Sequence, residues 1–151
     1  RAENLMIVDL LRNDLGRIAI PGSVTANPLF SLEKYPSVWT MTSTVQARIA
    51  PATTLETILK ALFPCGSVTG APKIAAMQRI QETEDTPRGL YCGSVGWLAP
   101  NGDFSLNVAI RTLVLNDKNG NGLYHVGGGI VHDSDPGQEW EECHWKARIL
   151  A

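Results

Sequence analysis

Tyr91-Cys92-Gly93-Ser94-Val95-Gly96-Trp97-Leu98-Ala99-Pro100-Asn101-Gly102-Asp103-Phe104-Ser105-Leu106-Asn107-Val108-Ala109-Ile110-Arg111-Thr112-Leu113-Val114-Leu115 sets two runs rich in apolar residues on either side of a Pro-Asn-Gly-Asp turn. Asn-Gly between such runs is a strong hairpin signal, because both residues tolerate the left-handed backbone of a tight turn. The stretch predicts two paired antiparallel strands, Tyr91 to Leu98 and Phe104 to Leu115. Downstream, Gly120-Asn121-Gly122 turns the chain into a strand over Leu123 to Val126, which Gly127-Gly128-Gly129 breaks. Pro136 to Leu150 reads as a terminal helix.

Upstream the apolar period changes. Ala2 to Leu15 reads as a largely buried helix, with Leu5, Met6, Ile7, Val8, Leu10 and Leu11 apolar, Arg12-Asn13-Asp14 polar near its end and Gly16 as its C-cap. Short extended pieces, cut by Pro21-Gly22 and Asn27-Pro28, run to Pro36, and Ser37 to Ile49 has the composition of a strand. Thr53 to Leu62 is an amphipathic helix opened by a capping box of Thr53 and Glu56. Pro72 to Glu84 is another, with Ile74, Ala75, Met77 and Ile80 as its apolar stripe. Helices first and a run of antiparallel hairpins after them predict an α+β fold, antiparallel sheets flanked by helices, and not a doubly wound parallel sheet.

The 151 residues, 44% hydrophobic and 19% charged, suit one ordinary globular domain. Thirteen basic against fifteen acidic residues give a net charge of −2, which offers neither nucleic acid nor an anionic membrane an electrostatic footprint. A small-molecule partner is the expectation. No apolar run is long enough to span a bilayer. Cys65, Cys92 and Cys143 are odd in number, far apart and not in CxxC spacing, which argues against a disulfide framework or a zinc site and for a reducing, cytoplasmic compartment. The sequence opens at Arg1 inside a helical pattern, so the expectation is a piece of a longer protein that lacks the N-terminal part of its domain.

Two glycine-rich segments can bind anions. Phe63-Pro64-Cys65-Gly66-Ser67-Val68-Thr69-Gly70-Ala71-Pro72-Lys73 brings small residues, hydroxyls and a lysine to a loop that enters a helix, where free backbone N–H groups carry partial positive charge. It lacks the Gly-Lys-Ser/Thr ending of a nucleotide P-loop, and a purely structural turn fits it as well. Gly127-Gly128-Gly129 offers a row of unobstructed backbone donors, or simply a bulged strand end. On the last helix Glu139, Glu142 and Lys146 share one face, which suits either a hard cation such as Mg²⁺ or a solvated face with a Glu–Lys ion pair. Glu3 stands near the start of the first helix, where the dipole favours it. Arg111, among apolar strand neighbours, calls for a carboxylate, and Tyr91 on the facing strand offers a hydroxyl. Arg12 and Asp14 read as structural ion-pair residues. His125, His132 and His144 have no metal-ligand spacing and read as structural.

Taken together, Glu3-Asn4-Leu5-Met6-Ile7-Val8-Asp9-Leu10-Leu11-Arg12-Asn13-Asp14, the Phe63 to Lys73 loop, Pro87-Arg88-Gly89-Leu90-Tyr91-Cys92-Gly93, Ala109-Ile110-Arg111-Thr112 and Gly127-Gly128-Gly129-Ile130-Val131 resemble the chorismate-utilising enzymes in order and spacing. The likeness spans nearly the whole chain. Within that family Pro64 to Gly70 and Met41-Thr42-Ser43-Thr44 are most similar to the para-aminobenzoate branch, component I of aminodeoxychorismate synthase. Thr69 and Thr40 depart from the serine and histidine of the anthranilate branch, which remains the alternative, as does a non-catalytic chorismate- or anion-binding domain.

The resemblance implies the C-terminal part of the chorismate-binding fold and a Mg²⁺-dependent amination of chorismate in folate biosynthesis. It implies Glu3, Glu139 and Glu142 as metal carboxylates or their neighbours. It implies Gly127, Gly128, Gly129 and Lys146 at the ring carboxylate, Tyr91 and Arg111 at the enolpyruvyl carboxylate, and Ser67, Thr69 and Gly70 along the ring. Ammonia would come from a glutamine amidotransferase, as a separate subunit or a fused domain. The nucleophilic lysine would lie before Arg1 in a Pro-Ile-Lys-Gly-Thr segment, so no catalytic residue is expected within this chain.

Overall fold

Helix α1 (Ala2–Gly16) forms where the apolar run predicts it, with Val8 and Asp14 as its buried residues. Gly16 is its last helical residue and not a left-handed cap, since the chain continues through turn bonds from Ile18 and Ala19 back to Leu15. The structure, a computed structural model, describes residues 2–35 and 39–150. Two compact units divide the chain, residues 1–80 and 81–151.

In the first unit α1 packs against two short antiparallel strands, β1 (Thr25–Ala26) and β4 (Val45–Gln46), which pair with each other. A separate hairpin joins β2 (Ser31–Lys34) to β3 (Trp39–Thr42). The strand expected over Ser37 to Ile49 is therefore two strands, interrupted at Ser43 and Thr44; its Ser37 and Val38, with the preceding Pro36, lie outside the described residues. The interruption has a cause: the Ser43 hydroxyl donates to Asn4 Oδ1 at 2.7 Å and accepts from the Phe30 amide at 3.0 Å, tying the strand break to α1. Helix α2 (Leu55–Leu62) starts one residue later than expected. Thr54, not Thr53, is its N-cap, accepting from the Thr57 amide at 3.2 Å, while Glu56 pairs with Lys60 on the surface. A single helical turn, α3 (Gly66–Thr69), and helix α4 (Lys73–Thr83) follow, with Pro72 supplying the carbonyl that receives the first α4 bond.

In the second unit β5 (Ser94–Leu98) and β6 (Phe104–Val108) form the predicted hairpin, in register from Ser94 opposite Val108 to Leu98 opposite Phe104. Tyr91 precedes β5 in a turn, and the run from Phe104 to Leu115 is not one strand. It breaks over Ala109 to Thr112, where Arg111 takes φ 50°, and resumes as β7 (Leu113–Leu115), paired with β8 (Gly122–Tyr124). Helix α5 (Pro136–Ala147) is capped by Asp135, which accepts from the Gln138 amide at 2.9 Å, and a 3₁₀ turn over Arg148–Leu150 ends the described chain. Every ladder is antiparallel and two-stranded, so the α+β architecture stands. No helix among the described residues is long and apolar enough to cross a membrane. The three cysteines are free thiols.

Candidate active site

The Gly127 to Gly129 segment leaves β8 and runs beside α5. None of its three amides donates to a backbone carbonyl among the described residues, so the row is open to an anion. Its glycines are needed for space. A side-chain carbon at Gly127 would lie 2.6 Å from Tyr91 Oη, and one at Gly128 would lie 2.8 Å from Glu139 Oε2. A phenol and a carboxylate thus press against the backbone at successive residues, from opposite parts of the sequence.

Each of these groups is held. Glu139 Oε1 accepts from the Ser134 hydroxyl at 2.6 Å, and Ser134 itself receives the Val131 amide at 3.1 Å. Glu139 Oε2 is buried without a hydrogen-bond partner. A carboxylate oxygen left so is costly unless a cation or donor meets it, so the arrangement suits a hard divalent ion. Lys146 Nζ donates to the Gly127 carbonyl at 2.9 Å and pairs with Glu142 at 2.5 Å, fixing the start of the glycine row to the last turns of α5. Among the described residues no three His, Cys, Asp or Glu side chains form a ready-made metal cluster.

Burial, above all, pushes the Tyr91 phenol up to about 12, with the adjacent Cys92 thiol adding to the effect. The hydroxyl therefore stays protonated and can donate at any physiological pH. Burial also raises the Cys92 thiol above its ordinary value, which keeps it from acting as a thiolate nucleophile. Cys92 and Arg111 both take positive φ, 62° and 50°, and the bonds from Cys92 N to Ala109 O and from Ala109 N to Gly93 O bring these bends to the same end of the β5–β6 hairpin. Arg111 is exposed there, not set in a strand among apolar neighbours, and it has no ion-pair partner among the described residues.

The loop residues occupy the first unit. Ser67 is exposed with its hydroxyl 3.0 Å from Cys65 Sγ, Thr69 donates to the Cys65 carbonyl at 3.1 Å, and Gly70 takes φ 122°, a conformation open to glycine. Lys73 is not available to an anion. It donates to Asp14 Oδ2 at 2.8 Å and to the Ala61 carbonyl at 3.2 Å, a buried pair that ties the end of the loop to α1 and α2. The expected ion-pair role of Asp14 is met through Lys73, while Arg12 pairs with Asp9 on the surface at 3.1 Å. Glu3 is exposed in the first turn of α1. Sequence reasoning did not bring out Ser134, or the place of His125 beside Tyr91. Ser134 could have been found as a hydroxyl just ahead of the Asp135-Pro136 helix start. His125, whose ring stacks on Tyr91, had no local signal.

The sequence matches the family described as chorismate binding enzyme over residues 1–151. It is 48% identical over 150 residues to the aminodeoxychorismate synthase of Streptomyces griseus, covering 99% of this chain and 20% of that protein. It is 46% identical over 151 residues to aminodeoxychorismate synthase component 1 of Salmonella typhimurium, covering 99% of this chain and 33% of that one. The crystal structure of anthranilate synthase component I from Streptococcus pneumoniae superimposes with a TM-score of 0.87 at 44% identity, over 97% of this chain and 33% of that one. The chain thus spans a fifth to a third of the length of these relatives. With one family model covering every residue, this chain belongs to the chorismate-binding enzymes.

Proposed function

We propose that the protein carrying this chain aminates chorismate to 4-amino-4-deoxychorismate in a Mg²⁺-dependent reaction, with ammonia supplied by a glutamine amidotransferase. The observation that carries this reading is the buried, partnerless Glu139 Oε2 against an open row of backbone donors. An anionic substrate together with a divalent cation would satisfy both. Similarity to aminodeoxychorismate synthases at 46–48% identity supports the choice of product.

In this reading the amides of Gly127, Gly128 and Gly129 receive the ring carboxylate, and Lys146 holds the row in place through the Gly127 carbonyl. Tyr91 donates to the enolpyruvyl carboxylate from a phenol that burial keeps neutral. Arg111, exposed and without an ion-pair partner among the described residues, supplies the planar fork for the same group. Ser67, Thr69 and Gly70 line the ring. Glu139 and Glu142 would hold Mg²⁺, with Glu3 added on the family resemblance alone, and the ion would draw charge from the ring carboxylate. None of the residues assigned here is the nucleophile, which in this reading is a lysine elsewhere in the protein.

Calorimetry of the full-length protein with chorismate tests the reading. Chorismate binding should tighten when Mg²⁺ is added, and Glu139→Gln should remove that Mg²⁺ effect. Equal binding with and without the ion in the unaltered protein would refute the metal site. The second reading, anthranilate synthesis, has its support in the 44% identity to the Streptococcus pneumoniae enzyme. The two differ in product.

A further inference from the structure

Tyr91 is held by residues that the proposed chemistry does not use. The His125 imidazole stacks on its ring, with centroids 5.2 Å apart and planes 12° from parallel. The Arg88 guanidinium stands 5.8 Å from the same ring centroid and is gripped in turn by Glu84, through Nε to Oε2 at 2.8 Å and Nη2 to Oε1 at 2.6 Å. His125 Nε2 is buried and has no hydrogen-bond partner among the described residues. An unpaired buried polar atom costs about 1–3 kcal/mol, so this nitrogen does not anchor the imidazole. Its contact with the site is made by the ring face. His125 also stands two residues before Gly127, where a side-chain carbon would lie within 2.6 Å of Tyr91 Oη. One short segment therefore both clamps the phenol ring and receives its hydroxyl.

We infer that His125 is a positioning residue for Tyr91: its imidazole face fixes the phenol beside Gly127, so that the hydroxyl meets the substrate carboxylate without a loss of ring freedom on binding. The inference rests on the functional reading above. Holding a donor in its bound orientation beforehand lowers the entropy lost on association and affects substrate affinity more than the chemical step. Aromatic stacking of this kind is worth a factor of about two to ten in an equilibrium constant.

The test uses the full-length protein. His125→Ala should raise KM for chorismate about five- to tenfold while kcat stays within about threefold. His125→Leu, which fills the volume without an aromatic face, should do the same and serves where the alanine variant does not fold. His125→Phe keeps the face and drops the nitrogens, and should restore KM to within about twofold. In a Tyr91→Phe background, which lacks the hydroxyl, His125→Ala should raise KM no further. Without substrate, the ring-current shift of ¹³C-labelled Tyr91 should be present in the unaltered protein and in His125→Phe and absent from His125→Ala. An unchanged KM in both His125→Ala and His125→Leu would overturn the inference. So would a phenylalanine variant as impaired as the alanine one, because the role would then belong to the nitrogen. An unaltered protein that keeps the ring-current shift but binds no chorismate would instead sink the functional reading, and this inference with it.

Discussion

At Gly128 the space that a methyl group needs is already occupied by Glu139 Oε2, 2.8 Å from where the carbon would sit. The backbone there is outside the left-handed region, so alanine meets no dihedral penalty and the steric conflict stands alone. Gly128→Ala should therefore keep its unfolding midpoint while losing at least about tenfold in Mg²⁺-dependent chorismate affinity, roughly the 1.4 kcal/mol of a displaced ligand group. Calorimetry and a thermal melt on the same sample check both halves, and retained affinity would show that Glu139 is free to move. The open amides of the glycine row were legible because three glycines in succession announce them. What faced it was not legible: Tyr91 and Glu139 reach it from either side along the sequence, and no local pattern encodes such a contact. The bend at Arg111 was hidden for a related reason. A non-glycine residue at φ 50° costs about 1–2 kcal/mol, and its apolar neighbours gave it the composition of a strand.

Among the elements, the Lys73–Asp14 pair carries the clearest stability prediction. Both side chains are nearly buried, and Lys73 also caps α2 through the Ala61 carbonyl. Removing one partner leaves the other charge buried and unpaired, which typically costs 3–5 kcal/mol, so Lys73→Met should lose about that much in urea unfolding. A loss under about 1 kcal/mol would mean that water reaches Asp14. The sequence placed Lys73 at a loop-to-helix junction and suggested an anion; its partner, 59 positions away, could be found only in three dimensions. Helix starts were easier to read, since a threonine followed by polar residues marks them locally, although Thr54 and not Thr53 makes the cap bond. The Arg88 fork lowers the Glu84 carboxyl below its ordinary value of 4.5, chiefly through their hydrogen bonds. A depressed carboxyl stabilises the fold above its unfolded value and loses that contribution as the pH falls through the folded one. The pair is partly exposed and contributes about 0.2–1 kcal/mol. Glu84→Gln should thus lower Tm at pH 7, and its difference from the unaltered protein should vanish well below pH 4.5. A difference that persists into strong acid would assign the effect to packing.

Over the whole molecule the exposed surface is 11334 Å² for 16.4 kDa. Two independent globules of half that mass would expose about 9,100 Å², so even unit by unit the chain buries less than a self-contained domain does. Among the described residues only Val8, Ala61, Cys92 and Ala109 are buried hydrophobics, while Trp39, Trp97, Leu98 and Leu115 are largely exposed on strands. The α+β class was legible from the order of helices and hairpins; the small core was not, because composition counts apolar residues without saying what covers them. Chorismate chemistry is accordingly a property to measure in the full-length protein, whose relatives are three to five times as long as this chain. The most direct measurement is mass spectrometry of the product formed from chorismate, Mg²⁺ and ammonium. The account predicts 4-amino-4-deoxychorismate with its enolpyruvyl group intact; anthranilate with released pyruvate, or chorismate left unchanged, would contradict it.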